Sequence, residues 1–253
     1  MEQNKPLNQE EWHQRYKQQA GWSQDVRKYL FGKVNITSGD KVLEVGSGTS
    51  AVLSLIANEI DGCYFGIDID YKNLYFSSKL YPHIPLAQGD GLQLPFPNKC
   101  FKATYCHYLL LWVVDPSRIL SEMIRVTRSG GSVIALAEPD YQARIDYPDP
   151  LQKLGQLQTK SLENQGIDST MGRKLAGLFH HPYLKEITSG ILGAQWDPNQ
   201  AVDEKEWLMI RSDLGLTLPP GDLETYRKAE ASARKRGEKV LFIPTFYAAG
   251  IVT

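Results

Sequence analysis

Apolar and polar positions follow two rhythms along this chain. From Glu10 to Leu30 the period is helical: Trp12 and Tyr16 stand one turn apart, Gly21 interrupts the run, and Val26, Tyr29 and Leu30 form a second apolar face. After a turn over residues 35–40, short apolar runs alternate with helical windows. Strands are predicted at Lys41 to Val45, Cys63 to Ile67, Pro85 to Gln88, Phe101 to Cys106 and Ser132 to Ala137. Helices are predicted between them at Ala51 to Asn58, Asn73 to Tyr81 and Ser117 to Thr127. This alternation predicts βαβ units, hence an α/β fold with helices on both faces of a mostly parallel sheet.

Beyond Glu138 the rhythm changes. The stretch EPDYQARIDYPDP is rich in proline and aromatics, and helices are expected over Leu151 to Gln165, Gly172 to Phe179, Asp203 to Asp213 and Asp222 to Arg236. Strands near Glu186 to Ala194 and Lys239 to Ile251 are expected to add an antiparallel edge. There is no internal repeat and no low-complexity tract. The chain reads as one domain in four parts: a helical cap (1–36), a binding core (37–140), a helical insertion on the substrate side (141–185) and C-terminal strands and helices (186–253).

Composition narrows the function. With 253 residues and 42% hydrophobic content a sizeable core can be buried, and a formal charge of -1 provides no general attraction for nucleic acid or an anionic membrane. The polar start and the lack of a long apolar window point to a soluble, cytoplasmic protein. Cys63, Cys100 and Cys106 lack CxxC spacing and read as buried free thiols. His180 and His181 have no accompanying ligand pattern, so no metal is expected.

The segment KVLEVGSGTS, Lys41 to Ser50, runs an apolar strand into a glycine turn, which lets a backbone approach a ligand closely. Gly46, Gly48 and Ala51 fit GxGxxA, with Asp68 about 20 residues on, the spacing of a dinucleotide fingerprint. Glu44, two residues before the first glycine, would repel a pyrophosphate but favour a cation. S-adenosylmethionine carries a sulfonium and an ammonium and no phosphate. Asp68 could accept both ribose hydroxyls, and Asp90, followed by Gly91 and Leu92, could flank an adenine. Glu44, Asp68 and Asp90 follow three successive strands, at the carboxyl edge where such sheets bind ligands.

With VLEVGSGTS, YFGIDID and the run from GDGLQLPFPNKC through CHYLLLW to AEPDY, the sequence resembles the class I S-adenosylmethionine-dependent methyltransferases, in the branch of the ubiquinone and menaquinone biosynthesis enzymes. The resemblance covers roughly residues 40–140. It implies a Rossmann-like, seven-stranded sheet with one antiparallel edge strand, S-adenosylmethionine as donor and S-adenosylhomocysteine as product. By position, Glu44, Gly46, Ser47 and Gly48 would surround the methionine part, Asp68 and Ile69 the ribose and adenine, Asp90, Gly91 and Leu92 the adenine, and Cys106 and His107 the sulfonium and amino group. Two positions depart from the family pattern, Lys102 where Asp is frequent and Ser50 where a third glycine is common.

Methyl transfer is an in-line displacement, so a base is needed only if the acceptor must lose a proton. His107 is the candidate base, and hydrogen bonding to the cofactor or its own loop is its other reading. Glu138, Asp140 and Tyr141 in AEPDY are candidates to face the substrate, and a capped turn explains them equally. Tyr16, Gln19 and Trp22 are candidates for a lid, against ordinary helix packing. The expectation is methyl transfer to a small-molecule acceptor. The rivals are an NAD(P)-dependent oxidoreductase, suggested by GxGxxA, and an S-adenosylmethionine-binding protein without turnover. Neither the acceptor atom nor the oligomeric state is fixed by these residues.

Overall fold

The computed structural model describes residues 7–193, 204–214 and 218–253. Residues 1–6 of the expected cap, Ala194 and Asp203 lie outside the described residues. In chain order the elements are α1 (Gln9–Trp22), α2 (Gln24–Val34), β1 (Lys41–Val45), α3 (Ala51–Glu59), β2 (Cys63–Asp68), α4 (Tyr71–Leu80), β3 (Leu86–Gln88) and β4 (Phe101–Cys106). There follow α5 (Pro116–Val126), β5 (Thr127–Pro139), β6 (Ile145–Tyr147), α6 (Asp149–Asn164), α7 (Met171–Phe179), β7 (Leu184–Ile191), α8 (Glu204–Leu214), α9 (Pro220–Lys235), β8 (Val240–Phe242) and β9 (Thr245–Val252).

Two compact units share the chain. The larger comprises residues 9–139, 171–192 and 245–253. Its seven strands lie in the order β3-β2-β1-β4-β5-β9-β7, parallel except for β9, which runs antiparallel to both β5 and β7. This is the α/β, Rossmann-like sheet that the alternating pattern predicts. β1 lies between β2 and β4, and after the exposed Lys41 every one of its residues is buried, as expected of a central parallel strand covered on both faces. One core layer joins Leu30 and Phe31 of α2, Val52, Leu53 and Ile56 of α3, and Val42, Tyr105 and Ile134 of the sheet.

The smaller unit comprises, among the described residues, 140–170, 193, 204–214 and 218–244, together with residues 7 and 8. Within it β6 pairs antiparallel with β8, and Leu154, Trp207, Ile210 and Leu214 form a small apolar cluster. Buried ion pairs, Arg144 with Asp146 and Glu230 with Arg234 and Lys239, hold it together.

The predicted strand from Lys239 to Ile251 is in fact two, β8 and β9, parted at Ile243 and Pro244 and placed in different sheets. Proline lacks the N-H that an uninterrupted ladder needs. α1 passes through Gly21, and the break falls at Ser23, whose carbonyl accepts the Arg27 N-H (2.8 Å) to open α2. Of the thiols, only Cys106 is buried; Cys63, at the start of β2, is exposed.

Candidate functional site

The glycine turn leaves β1 at Gly46 (φ +73°) and Gly48 (φ +49°), with Ser50 also left-handed (φ +58°). The N-H groups of Gly46 and Ser47 both donate to the Ile67 carbonyl, at 2.8 and 3.0 Å, which ties the turn to β2. A Cβ at Gly46 would lie 2.7 Å from Leu109 Cδ1, so the loop after β4 closes directly on the turn. Asp68 ends β2 with its carboxylate turned to this backbone, accepting from Gly48 N (2.7 Å) through one oxygen and from Asp70 N (2.8 Å) through the other. Burial, and then the charge of Asp70, raise the Asp68 carboxyl above its ordinary range, against these N-H groups.

Glu44 is 2% exposed. In register it stands between Gly66 of β2 and Tyr105 of β4. Burial raises its carboxyl well above the carboxylate range; the Tyr105 hydroxyl and the Leu53 N-H in the first turn of α3 oppose that shift. Glu44 Oε2, Tyr105 Oη and Ser47 Oγ are all buried without completing a hydrogen bond among the described residues. Three such atoms around one glycine turn are uncommon in a folded core, where buried polar groups are nearly always paired.

Asp90 is exposed and folds back to accept from Leu92 N (2.8 Å). A Cβ on Gly91 would meet Ile119 Cδ1 at 2.8 Å and Val45 Cγ1 at 3.2 Å, so this loop lies close against β1 and α5. α5 holds it: Arg125 donates to the carbonyls of Leu94 and Phe96 (both 2.9 Å), and the buried Glu122 accepts from Leu94 N (2.8 Å). Ile69 is 69% exposed, its apolar side chain open to a flat partner.

α1 lies over the turn. The Tyr16 ring would be 3.6 Å from a Cβ on Gly48, and burial followed by the charges of Asp68 and Asp70 pushes its hydroxyl up to about 12. Gln19 is half-buried, whereas Trp22 is 51% exposed and carries the Arg15 guanidinium over its ring. His13, which the sequence reading missed, is buried and bridges Thr49 Oγ1 (2.8 Å) and Tyr81 Oη (3.3 Å), joining α1 to the turn and to the end of α4. Its position three residues before Tyr16, on the same helical face, was the available signal.

Other predicted residues serve different ends. Cys106 is wholly buried in β4, its thiol 4.0 Å from Glu138 Oε1 and pushed up by burial. Glu138 turns inward with no exposed surface. It accepts the N-H groups of Leu109 and Leu110 (3.0 Å each) and Leu111 (3.2 Å), so it fixes the loop after β4 from below. Asp140 is buried in the smaller unit and caps a short turn through Ala143 N (3.1 Å), and Tyr141 N bonds the Ser169 carbonyl (2.8 Å). In AEPDY, therefore, both carboxylates have backbone partners. His107 Nε2 lies 3.1 Å from Ser23 Oγ; burial, then the Arg27 charge, pull its imidazole down to about 3. A base that weak gives little driving force for proton removal near neutrality. His181 Nδ1 accepts from Tyr183 N (3.3 Å), a local turn contact.

The family described as Methyltransferase domain matches residues 43–135, from β1 into β5. The chain is 28% identical over 191 residues to a demethylmenaquinone methyltransferase of Lysinibacillus sphaericus, covering 68% of this chain and 80% of that protein. It is 34% identical over 118 residues to a phosphatidylethanolamine N-methyltransferase of Cereibacter sphaeroides, covering 44% of this chain and 57% of that protein. Among solved structures, geranyl diphosphate C-methyltransferase from Streptomyces coelicolor, in complex with S-adenosyl-L-homocysteine, is similar at a TM-score of 0.57 and 13% identity, over 89% of this chain and 74% of that one. The sheet, the glycine turn and these likenesses agree: residues 43–135 match a methyltransferase domain, and the chain resembles the class I S-adenosylmethionine-dependent methyltransferases, in the ubiquinone and menaquinone biosynthesis branch.

Proposed function

We propose that the carboxyl edge of β1, β2 and β3 holds S-adenosylmethionine and that the chain transfers its methyl group to a small-molecule acceptor, leaving S-adenosylhomocysteine. The observation that carries this reading is the buried carboxyl of Glu44 at a glycine turn whose polar atoms Glu44 Oε2 and Ser47 Oγ lack partners among the described residues, an acidic setting that a cation complements and that offers a pyrophosphate no cationic partner. When bound, the donor supplies a methyl group activated by a sulfonium.

The protein's part is placement. Asp68 is at hand for the ribose, and its move from Gly48 N to ribose hydroxyls would free that N-H for the ligand. Ile69 offers an apolar face, and Asp90, Gly91 and Leu92 supply the loop beside it. Tyr16, with Gln19 and Trp22 on the same helix, roofs the turn. His107 is read as a neutral positioning group, since its imidazole at about 3 stays uncharged at neutral pH. A small acceptor agrees with the relatives, whose names specify demethylmenaquinone and phosphatidylethanolamine. Nucleic acid is not expected as a partner at a net charge of -1. No helix among the described residues is long and apolar enough to cross a membrane.

Calorimetric titration tests the reading. S-adenosylmethionine should bind and NADH should not, and Asp68→Ala should weaken binding by about 10- to 100-fold, the worth of charged hydrogen bonds of roughly 1.5 to 3 kcal/mol. Binding of NADH instead, or an Asp68→Ala protein that binds as tightly as the parent, would overturn it.

A further inference from the structure

The cluster below the glycine turn is built on sheet register. Glu44 and Tyr105 are partners across parallel strands β1 and β4, so their side chains leave the same face of the sheet. Opposite Glu44 on the other neighbour, β2, stands Gly66, which has no side chain; a Cβ there would meet Ser47 Oγ at 2.8 Å. The Tyr105 ring is packed edge-on by Phe31 of α2, 5.4 Å away, which fixes where its hydroxyl points.

The charged and titratable groups facing Glu44 are few. Tyr105 faces it from β4 and Asp68 from β2, with Asp68 adding like charge. The cation that acts on it is Arg27 of α2, whose effect is smaller than that of burial. Its guanidinium is buried, held by the Ala20 carbonyl (2.9 Å) and by Glu59 (3.5 Å), while its Nε has no partner among the described residues. Cys106 also senses the Glu44 charge, from the residue after Tyr105. A carboxyl that is buried with an unmatched oxygen, close to a second acid and only remotely served by a cation, is more stable carrying its proton.

We propose that Glu44 holds a proton in the free protein and gives it up to solvent when S-adenosylmethionine binds, the Tyr105 hydroxyl then donating to the new carboxylate. The O-H bond of the carboxyl breaks, the proton leaves to buffer, and the positive charge of the bound ligand would balance the carboxylate in its place. Tyr105 is thus a positioning residue, set by register to receive the carboxylate. The proposal rests on the cofactor reading above and adds an exchange of one proton for one cation.

The experiment is titration calorimetry of the whole chain with S-adenosylmethionine, in buffers of equal pH and different ionisation enthalpy. The slope of observed heat against buffer enthalpy counts the protons released. The count should approach one per protein in the acid part of the accessible range and fall as pH rises through the free-state titration of Glu44. Across the same window affinity should rise by up to about tenfold per pH unit, the linkage limit for one proton. Glu44→Gln, nearly isosteric, should bind with a buffer-independent heat, and Tyr105→Phe should move the proton-release window to higher pH by disfavouring the carboxylate; a circular dichroism melt checks that both are folded. Tight binding by the parent with a flat buffer dependence overturns the proposal and leaves the cofactor reading intact. Failure of the parent to bind overturns both.

Discussion

Replacing Glu138 by glutamine isolates what it costs to keep a carboxyl in this core. Burial lifts its titration from the ordinary 4.5 to about 7, even though the N-H groups of Leu109, Leu110 and Leu111 pull the other way. A raised acid binds its proton more tightly folded than unfolded. Its favourable contribution is therefore whole below about pH 4.5 and is lost as pH rises through about 7. The shift corresponds to about 3 kcal/mol in total, of which about 2.5 falls between pH 5 and pH 8. Glutamine does not titrate. It keeps an oxygen for Leu109 and Leu110 and loses the acceptor for Leu111, a fixed loss of about 1 to 3 kcal/mol that cancels when one variant is compared across pH. Urea unfolding of both proteins at pH 5 and pH 8 reads the double difference directly. The glutamine variant should gain about 2.5 kcal/mol on the parent over that interval, or about 5 to 10 °C in melting temperature for a chain of this size. A stability difference that stays flat with pH would refute the reasoning, because Glu138 would then titrate as it does in the unfolded chain.

Two further outcomes are expected. His107→Ala should leave the shape of the pH-rate profile between pH 6 and pH 9 unchanged, because an imidazole at about 3 is neutral throughout; loss of a limb near neutrality would restore His107 as a base. Arg125→Ala should cost about 1 to 3 kcal/mol, since it leaves Glu122 with only Arg118 (3.6 Å) and the Leu94 N-H, and leaves the carbonyls of Leu94 and Phe96 without that donor. It should also speed amide exchange across residues 89–100, and exchange like the parent's would show that the loop is held by other means.

What the sequence discloses here is local. β1 and β4 fall at the predicted residues, because a buried central strand is a short apolar run bounded by turn residues, which a window of five or six positions can register. The turn residues Gly46 and Gly48 are legible for the same reason, their left-handed φ being a property of single positions. Partnership across the sheet is not local. Nothing near Tyr105 announces that it will stand beside Glu44, some 60 residues earlier, until the register of β1 on β4 is set. Glu138 misleads in the same way: in sequence it belongs to an acidic turn, and in space its carboxylate serves three N-H groups almost 30 residues upstream. The short β6 escapes because it lies inside the proline-rich stretch EPDYQARIDYPDP, which reads as turn, and the division at Pro244 escapes because apolar residues continue on both sides of it.

The placement of β9 sets an order of assembly. β7 reaches the sheet only through β9, and the segment 193–244 separates the two in the chain. During synthesis the strands β1 to β5 can pair as soon as they are made, whereas β7 must wait, its edge unsatisfied, for residues 245–252 to appear. The glycine turn and its three acidic neighbours, Glu44, Asp68 and Asp90, belong to the part made early. Long-range closure of that kind is slow beside the pairing of strands that follow one another closely in the chain.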